Sequence, residues 1–342
     1  MKTPNLFNFA TSELSQDAFI AWLLSWAKPE YKAGSDKHKA LNKTATDILT
    51  LFFEKAGKPL PRHIEKIDVK RQVNYIDVLC VINETYAVLI EDKVGTVQHS
   101  NQLVRYKQHL MTKHQFTEDQ LILIYLQTHD QGNYNKVIKH GFNPVLRKDL
   151  LQVFDRSSNE GARESDIYAN YYDYLQSIET AVQSFQITPV KDWGRRAWIG
   201  FYQYLQEQLG EGNWKYVANP TGGFMGFWGL GCTVDGIKVY LQLEQSNICF
   251  KMTVQDKSNY KKARKKLHNI FVNEADRFDL IVRKPKKFGS GKTMTFAVLE
   301  TDVFGNTDKL VDLEAVINLM NELKVFINHC ANIYKESEVS IK

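Results

Sequence analysis

A lone carboxylate inside an otherwise apolar strand is the feature that most limits how this chain can fold. Residues 75–82 read Tyr-Ile-Asp-Val-Leu-Cys-Val-Ile, an apolar, β-branched run of strand length. Burying an unpaired carboxylate is costly, so Asp77 needs a partner or a metal ion. Asn83-Glu84-Thr85 makes a tight turn, and residues 86–94 return as a second strand that carries Glu91-Asp92-Lys93 near its end. Side chains two apart on a strand share a face. Glu91 and Lys93 therefore point one way and Asp92 the other. If the strands pair as a hairpin, Asp77 approaches Glu91 across the ladder. Two carboxylates and an ammonium facing one point predict a divalent-cation site with a charged helper. The bland alternative, a Glu–Lys pair at a strand edge, leaves Asp77 unexplained.

These residues resemble a known family. Ile76-Asp77, a thirteen-residue gap and Glu91-Asp92-Lys93 are similar to the signature of the PD-(D/E)XK nuclease superfamily. More narrowly, the chain resembles a bacterial subfamily that opens with a Glu-bearing helix, here Thr11-Ser12-Glu13-Leu14-Ser15-Gln16-Asp17-Ala18-Phe19. That subfamily reads Ile-Glu-Asp-Lys in the catalytic strand and then Gln-x-x-x-Tyr on a helix, here Gln102 and Tyr106. Ile76 stands where the family has Pro, next to the Asp that does the chemistry. The resemblance covers roughly the first half of the chain and implies a Mg²⁺-dependent nuclease, with Mn²⁺ as a substitute. In that picture Asp77 and Glu91 are metal ligands and the Asp92 carbonyl is a third. Lys93 orients or helps deprotonate the attacking water and stabilises developing charge. Glu13 is a further metal-site carboxylate by resemblance, although the helix dipole alone favours an acid in a first turn. Gln102 and Tyr106 lie one turn apart on a helix face. They contact the scissile phosphate or brace Lys93, or are simply a polar face resting on the sheet edge. His99 falls on the same face.

The order of elements fits that expectation. Helices are predicted over residues 11–27, with a stripe of Leu14, Ala18, Trp22, Leu23 and Trp26, and over 38–56. Three strands follow, near 64–73, 75–82 and 86–94, then a helix from about Gln98 to Lys113 and a buried strand at 120–126. Another strand is expected at Val137–Ile138, with helices over 148–154 and 163–185. The predicted fold class is α/β, a restriction-endonuclease-like core in which helices flank a mixed sheet, followed by a second α+β domain. Pro189 marks the seam, dividing residues 1–190, the catalytic domain, from 191–342, a domain for recognition or regulation. In the latter a helix (193–209) precedes four strands (213–219, 224–233, 236–244 and 247–254), with Asp235-Gly236 as a hairpin signal. A basic helix (258–274), strands near 278–283 and 293–301 and a closing helix (312–334) complete it.

Charge is unevenly spread. The chain of 342 residues has a net charge of +5, yet residues 251–292 hold thirteen Lys and Arg against four acidic residues. The helix over 258–274 turns Tyr260, Ala263, Leu267, Ile270 and Phe271 inward and leaves Lys261, Lys262, Arg264, Lys265 and Lys266 exposed. With Lys286 and Lys287 on a nearby turn, these lysines are candidates for contact with a nucleic-acid backbone, DNA by preference. A solvated lysine face is the plain alternative. Gly289-Ser290-Gly291-Lys292-Thr293 imitates the end of a phosphate-binding loop, but a strand follows it rather than a helix. The Gly- and aromatic-rich segment from Gly222 to Gly229 reads as strand and turn.

The apolar runs are too short to cross a bilayer, and the opening residues lack a signal-peptide apolar region. Four scattered cysteines indicate neither a zinc site nor a disulfide framework. A cytoplasmic nuclease with no membrane partner is the expectation, with restriction or phage defence as the setting the resemblance suggests. Two rivals stand beside it: a nucleic-acid-binding protein that does not cut, and a nuclease silent until a ligand or protein binds the second domain. A homodimer also stays open.

Overall fold

The computed structural model describes residues 4–95, 102–219, 222–255, 260–288 and 290–339. The chain divides into two compact units, one ending at Thr180 and one beginning at Ala181. His99 and the expected first turn of its helix lie outside the described residues, as does Gly289.

The first unit begins with two helices, α1 (Glu13–Ser25) and α2 (Asp36–Lys55). Ser12 and Ser35 cap them, each accepting a backbone N–H of the first turn, as free helix N-termini require. A meander of β1 (Ile67–Val73), β2 (Ile76–Ile82) and β3 (Tyr86–Lys93) follows. Next come α3 (Gln102–Lys113), β4 (Leu121–Gln127), α4 (Asn135–Lys139), β5 (Asn143–Leu146), α5 (Arg147–Phe154) and α6 (Asp166–Gln183). The five strands lie in sequence order, with β1, β2 and β3 antiparallel and β3, β4 and β5 parallel. Connection type dictates this mixture: short turns join antiparallel neighbours, whereas α3 provides the crossover that a parallel β3–β4 pair needs. The sequence Leu-Ile-Leu-Ile-Tyr-Leu-Gln makes β4 buried along its whole length, as a strand covered on both faces must be. The mixed, helix-flanked sheet of the predicted class is present.

Two local expectations change. Val137–Ile138 belongs to the short helix α4, and the strand comes later, at β5. Asn143 and Pro144 give β5 little strand propensity. It forms because β4 offers a free edge, where proline is tolerated. In α1 the expected stripe is also displaced: Leu14 is exposed, while Gln16, Asp17, Phe19, Ile20, Leu23 and Leu24 are buried. Apolar periodicity could not find a buried face that contains Gln and Asp.

In the second unit α7 (Arg195–Leu209) leads into β6 (Asn213–Asn219), β7 (Gly222–Val234), β8 (Ile237–Glu244) and β9 (Asn247–Val254). Then come α8 (Tyr260–Glu274), β10 (Val282–Arg283), β11 (Thr293–Leu299) and α9 (Leu313–Val339). The antiparallel sheet runs β10-β11-β9-β8-β7-β6. Phe271 of α8 packs its ring against Phe250, Phe296 and Phe326, with centroids 4.7–5.1 Å away. Lys261, Lys262 and Lys265 are exposed on α8, and Lys286 and Lys287 on the turn after β10. Arg264 and Lys266 are half-buried instead. Arg264 lies 4.5 Å over the Phe288 ring and Lys266 lies 4.7 Å over Tyr334, cation–π contacts that cover their aliphatic stems. No described helix is long and apolar enough to cross a membrane.

Candidate active site

The β2–β3 ladder sets the register. Val78 pairs with Ile90 and Leu79 with Leu89, so Asp77 and Glu91 are the next opposed positions. On this face of the sheet α3 packs Leu103, Tyr106 and Leu110 against Leu79, Ala87 and Leu89. Alternation along β3 turns Glu91 and Lys93 to the same face. Asp77 Oδ2 accepts the backbone N–H of Asp92 at 2.9 Å, which ties the β2 carboxylate to the strand that carries the other two.

Lys93 is the focus. Its Nζ lies 2.8 Å from Glu91 Oε1, 3.4 Å from Glu13 Oε2 and 4.0 Å from Asp77 Oδ2, and it donates to the Asp92 carbonyl at 2.7 Å. Glu13 is the first residue of α1, so its favourable place at the helix N-terminus and its approach to the site coexist. Glu91 is 0% exposed, and among the described residues its Oε2 has no hydrogen-bond donor. Burial, with the Asp77 charge adding, raises its pKa to about 7. Burial works against the Lys93 ammonium, but the Glu91, Asp77 and Glu13 carboxylates outweigh it and lift its pKa above the ordinary lysine value. Lys93 is therefore a cation at neutral pH.

Gln102 and Tyr106 lie beside these groups on α3. Gln102 Nε2 donates to Tyr106 Oη at 2.5 Å on α3. Burial raises the Tyr106 pKa, the Gln102 hydrogen bond opposes this, and the Glu91 and Asp77 charges add to it. The hydroxyl thus lies within the field of the carboxylates.

Behind β3 lies a layer that periodicity did not reveal. The Asp92 carboxyl is 1% exposed and faces α1, where Gln16 Nε2 donates to its Oδ1. Thr128 Oγ1 in turn donates to Gln16 Oε1 at 2.7 Å. Burial, followed by the Asp77 charge, raises the Asp17 pKa to about 6. Burial and the Asp17 charge raise Asp92 well above the usual carboxylate range. Two facing buried carboxyls cannot both ionise cheaply, so the pair retains a proton. Gln72 Nε2 donates to Asp17 Oδ2 at 2.9 Å and approaches Asp77 Oδ1 at 3.4 Å, which links the rear layer to the front carboxylate. One sequence signal for Asp17 existed: it stands one helical turn after Glu13, on the same side of α1.

The chain belongs to the PD-(D/E)XK nuclease superfamily, whose family model matches residues 4–186. No curated protein and no solved structure matched the chain. Membership places the chain among phosphodiester hydrolases that act on nucleic acid and typically use divalent metals. The donor chemistry fits such an ion: carboxylates and a carbonyl are hard oxygen ligands, and Glu91 Oε2 is a buried carboxyl oxygen that no donor among the described residues reaches. Among the described residues no three His, Cys, Asp or Glu side chains are already gathered as a cage, and the Lys93 ammonium lies within 4.0 Å of the Glu91, Glu13 and Asp77 carboxylates. The lysines of α8 and of the turn after β10 belong to the second unit, beyond the matched region.

Proposed function

We propose that the protein is a Mg²⁺-dependent endonuclease acting on DNA. Asp77, Glu91, the Asp92 carbonyl and Glu13 would hold the ion, and Mn²⁺ would substitute. When bound, a divalent cation neutralises charge on the scissile phosphate. Lys93, protonated at neutral pH, donates to the attacking water and to oxygens that gain charge in the transition state. Gln102 and Tyr106 offer donors to the phosphate from α3. Lys261, Lys262, Lys265, Lys266, Lys286 and Lys287 contact the nucleic-acid backbone, with the second unit in a recognition role. Restriction or phage defence in the cytoplasm is the setting in keeping with this reading. The observation that carries it is the fully buried Glu91 carboxylate, placed beside Asp77 with Lys93 as its near cation.

The test is cleavage of supercoiled plasmid and single-stranded DNA with Mg²⁺ or Mn²⁺, alongside EDTA and Lys93→Ala. Cutting that needs the metal and falls about 10²- to 10³-fold in the variant is expected. Cutting that survives either EDTA or Lys93→Ala would sink the assignment.

A second reading has its own observation. The second unit has an open cleft of about 790 Å³, lined by Ile248, Cys249, Arg283, Lys284, Lys286 and Lys287 among others. Glu244, Glu300 and Asp302 also line it, with Arg283 paired to Glu300, so the cations left for an anionic small molecule are Lys284, Lys286 and Lys287, and the nuclease would then be ligand-activated. Its mark is DNA left intact with metal alone and cut once a nucleotide is added.

A further inference from the structure

Two hairpins in this chain share one turn geometry but carry different residues. Between β7 and β8, Val234 pairs with Ile237, and the turn residues Asp235 and Gly236 have φ of 47° and 74°. Between β1 and β2, Val73 pairs with Ile76, and Asn74 and Tyr75 have φ of 52° and 70°. A two-residue hairpin turn with both residues left-handed favours Asn-Gly or Asp-Gly, because a Cβ at the second position is strained. Asp235-Gly236 follows the rule. Tyr75 breaks it with a bulky aromatic, the kind of residue for which positive φ is a true outlier.

Packing does not offset that strain. Tyr75 is 82% exposed. Among the described residues its side chain has no hydrogen-bond, ring or cation partner. Backbone strain that the fold itself does not use gathers at functional sites, and the location agrees. The turn leads within two residues to Asp77, roughly 7 Å of strand. The next strained residue, Gln72 with φ 51°, sends its side chain to Asp77. An aromatic face open to solvent, one nucleotide's reach from a phosphodiester site, is a platform for a base.

We propose that Tyr75 is a nucleobase-stacking residue, packing on an unpaired base next to the scissile phosphate. The proposal rests on the nuclease reading and deepens it. Bases in a closed duplex already stack on one another, so the platform selects single-stranded, frayed or extruded positions.

The test uses the full-length chain and a single-stranded oligodeoxynucleotide carrying 2-aminopurine, whose fluorescence is quenched by stacking, with Ca²⁺ replacing Mg²⁺ during binding. Wild type is expected to quench. Tyr75→Gly should bind about 5- to 100-fold more weakly without quenching, while its Tm is not lowered, because glycine relieves the turn. Tyr75→Phe should restore quenching. A merely structural tyrosine predicts the opposite pattern, a lower Tm for Tyr75→Gly with binding intact, and would overturn the proposal. Parallel assays with Mg²⁺ separate the two readings. If wild type and Tyr75→Gly cut and quench alike, stacking fails and the nuclease stands. If quenching depends on Tyr75 but nothing is cut, either with metal alone or with an added nucleotide, the nuclease reading fails and stacking stands. If wild type binds no oligonucleotide, the stacking proposal is overturned.

Discussion

The two units bury very different material. Among the described residues, every buried polar or charged side chain except Gln242 lies in the first unit, including Gln16, Asp17, Glu91, Asp92, Lys93, Thr128 and Arg147. Arg147 is typical: it binds the Thr128 carbonyl at 2.6 Å and pairs with Asp130 and Glu179, each at 2.8 Å. The second unit instead encloses interlocked aromatic and aliphatic side chains, with its lysines outside or laid over rings. Buried ion pairs rarely stabilise a fold more than apolar residues of the same shape would. The first unit thus encloses networks of buried charge and the second a dry, packed core.

That contrast can be broken by substitution. The largest effect is expected in the dry core: Phe271→Ala should lower stability by about 3–5 kcal/mol, read by urea unfolding. A loss below 1 kcal/mol would mean that the aromatic core does not carry the second unit.

A smaller effect of opposite sign is expected for Glu91→Gln. The native state holds a proton on Glu91 up to about pH 7, whereas the ordinary glutamate value is 4.5. Because the folded value is the higher one, stability is intact below pH 4.5 and falls as pH rises through this window, by roughly 3 kcal/mol. In EDTA, unfolding of the variant should lack this component and leave it the more stable protein at pH 8. Identical pH profiles for the two proteins would refute the strained-carboxylate account.

The smallest effect belongs to the exposed lysines. Lys265→Ala should change stability by no more than about 0.5 kcal/mol. The same substitution should reduce the salt dependence of DNA affinity by about one counterion. An unchanged salt slope would assign α8 to solvent.

Local order made much of the molecule legible. Alternation along residues 86–94 separates Glu91 and Lys93 from Asp92, and the Asn83-Glu84-Thr85 turn sets Asp77 against Glu91. The strands of the second unit, with Asp235-Gly236 between two of them, were equally plain. Both signals are covalent: a pleat repeats every two residues, and a turn needs residues that accept positive φ. Strand β5 and the buried face of α1 were not legible, because neighbours elsewhere in the chain supply the edge and the polar partners.

The sequence by itself therefore determined which face of β3 Glu91, Asp92 and Lys93 each take and that Asp77 lies opposite Glu91. Tertiary structure alone decided their ionisation and support. Gln72 meets Asp17 across 55 residues, and Gln16 meets Thr128 across 112. These contacts, together with the burial that accompanies them, place the Asp17–Asp92 pair behind the site and lift the Glu91 pKa. Only tertiary structure shows that Tyr75 is a solvent-facing ring on a strained turn. Burial, charge proximity and φ at a given residue depend on segments brought together from afar, and no local periodicity encodes them.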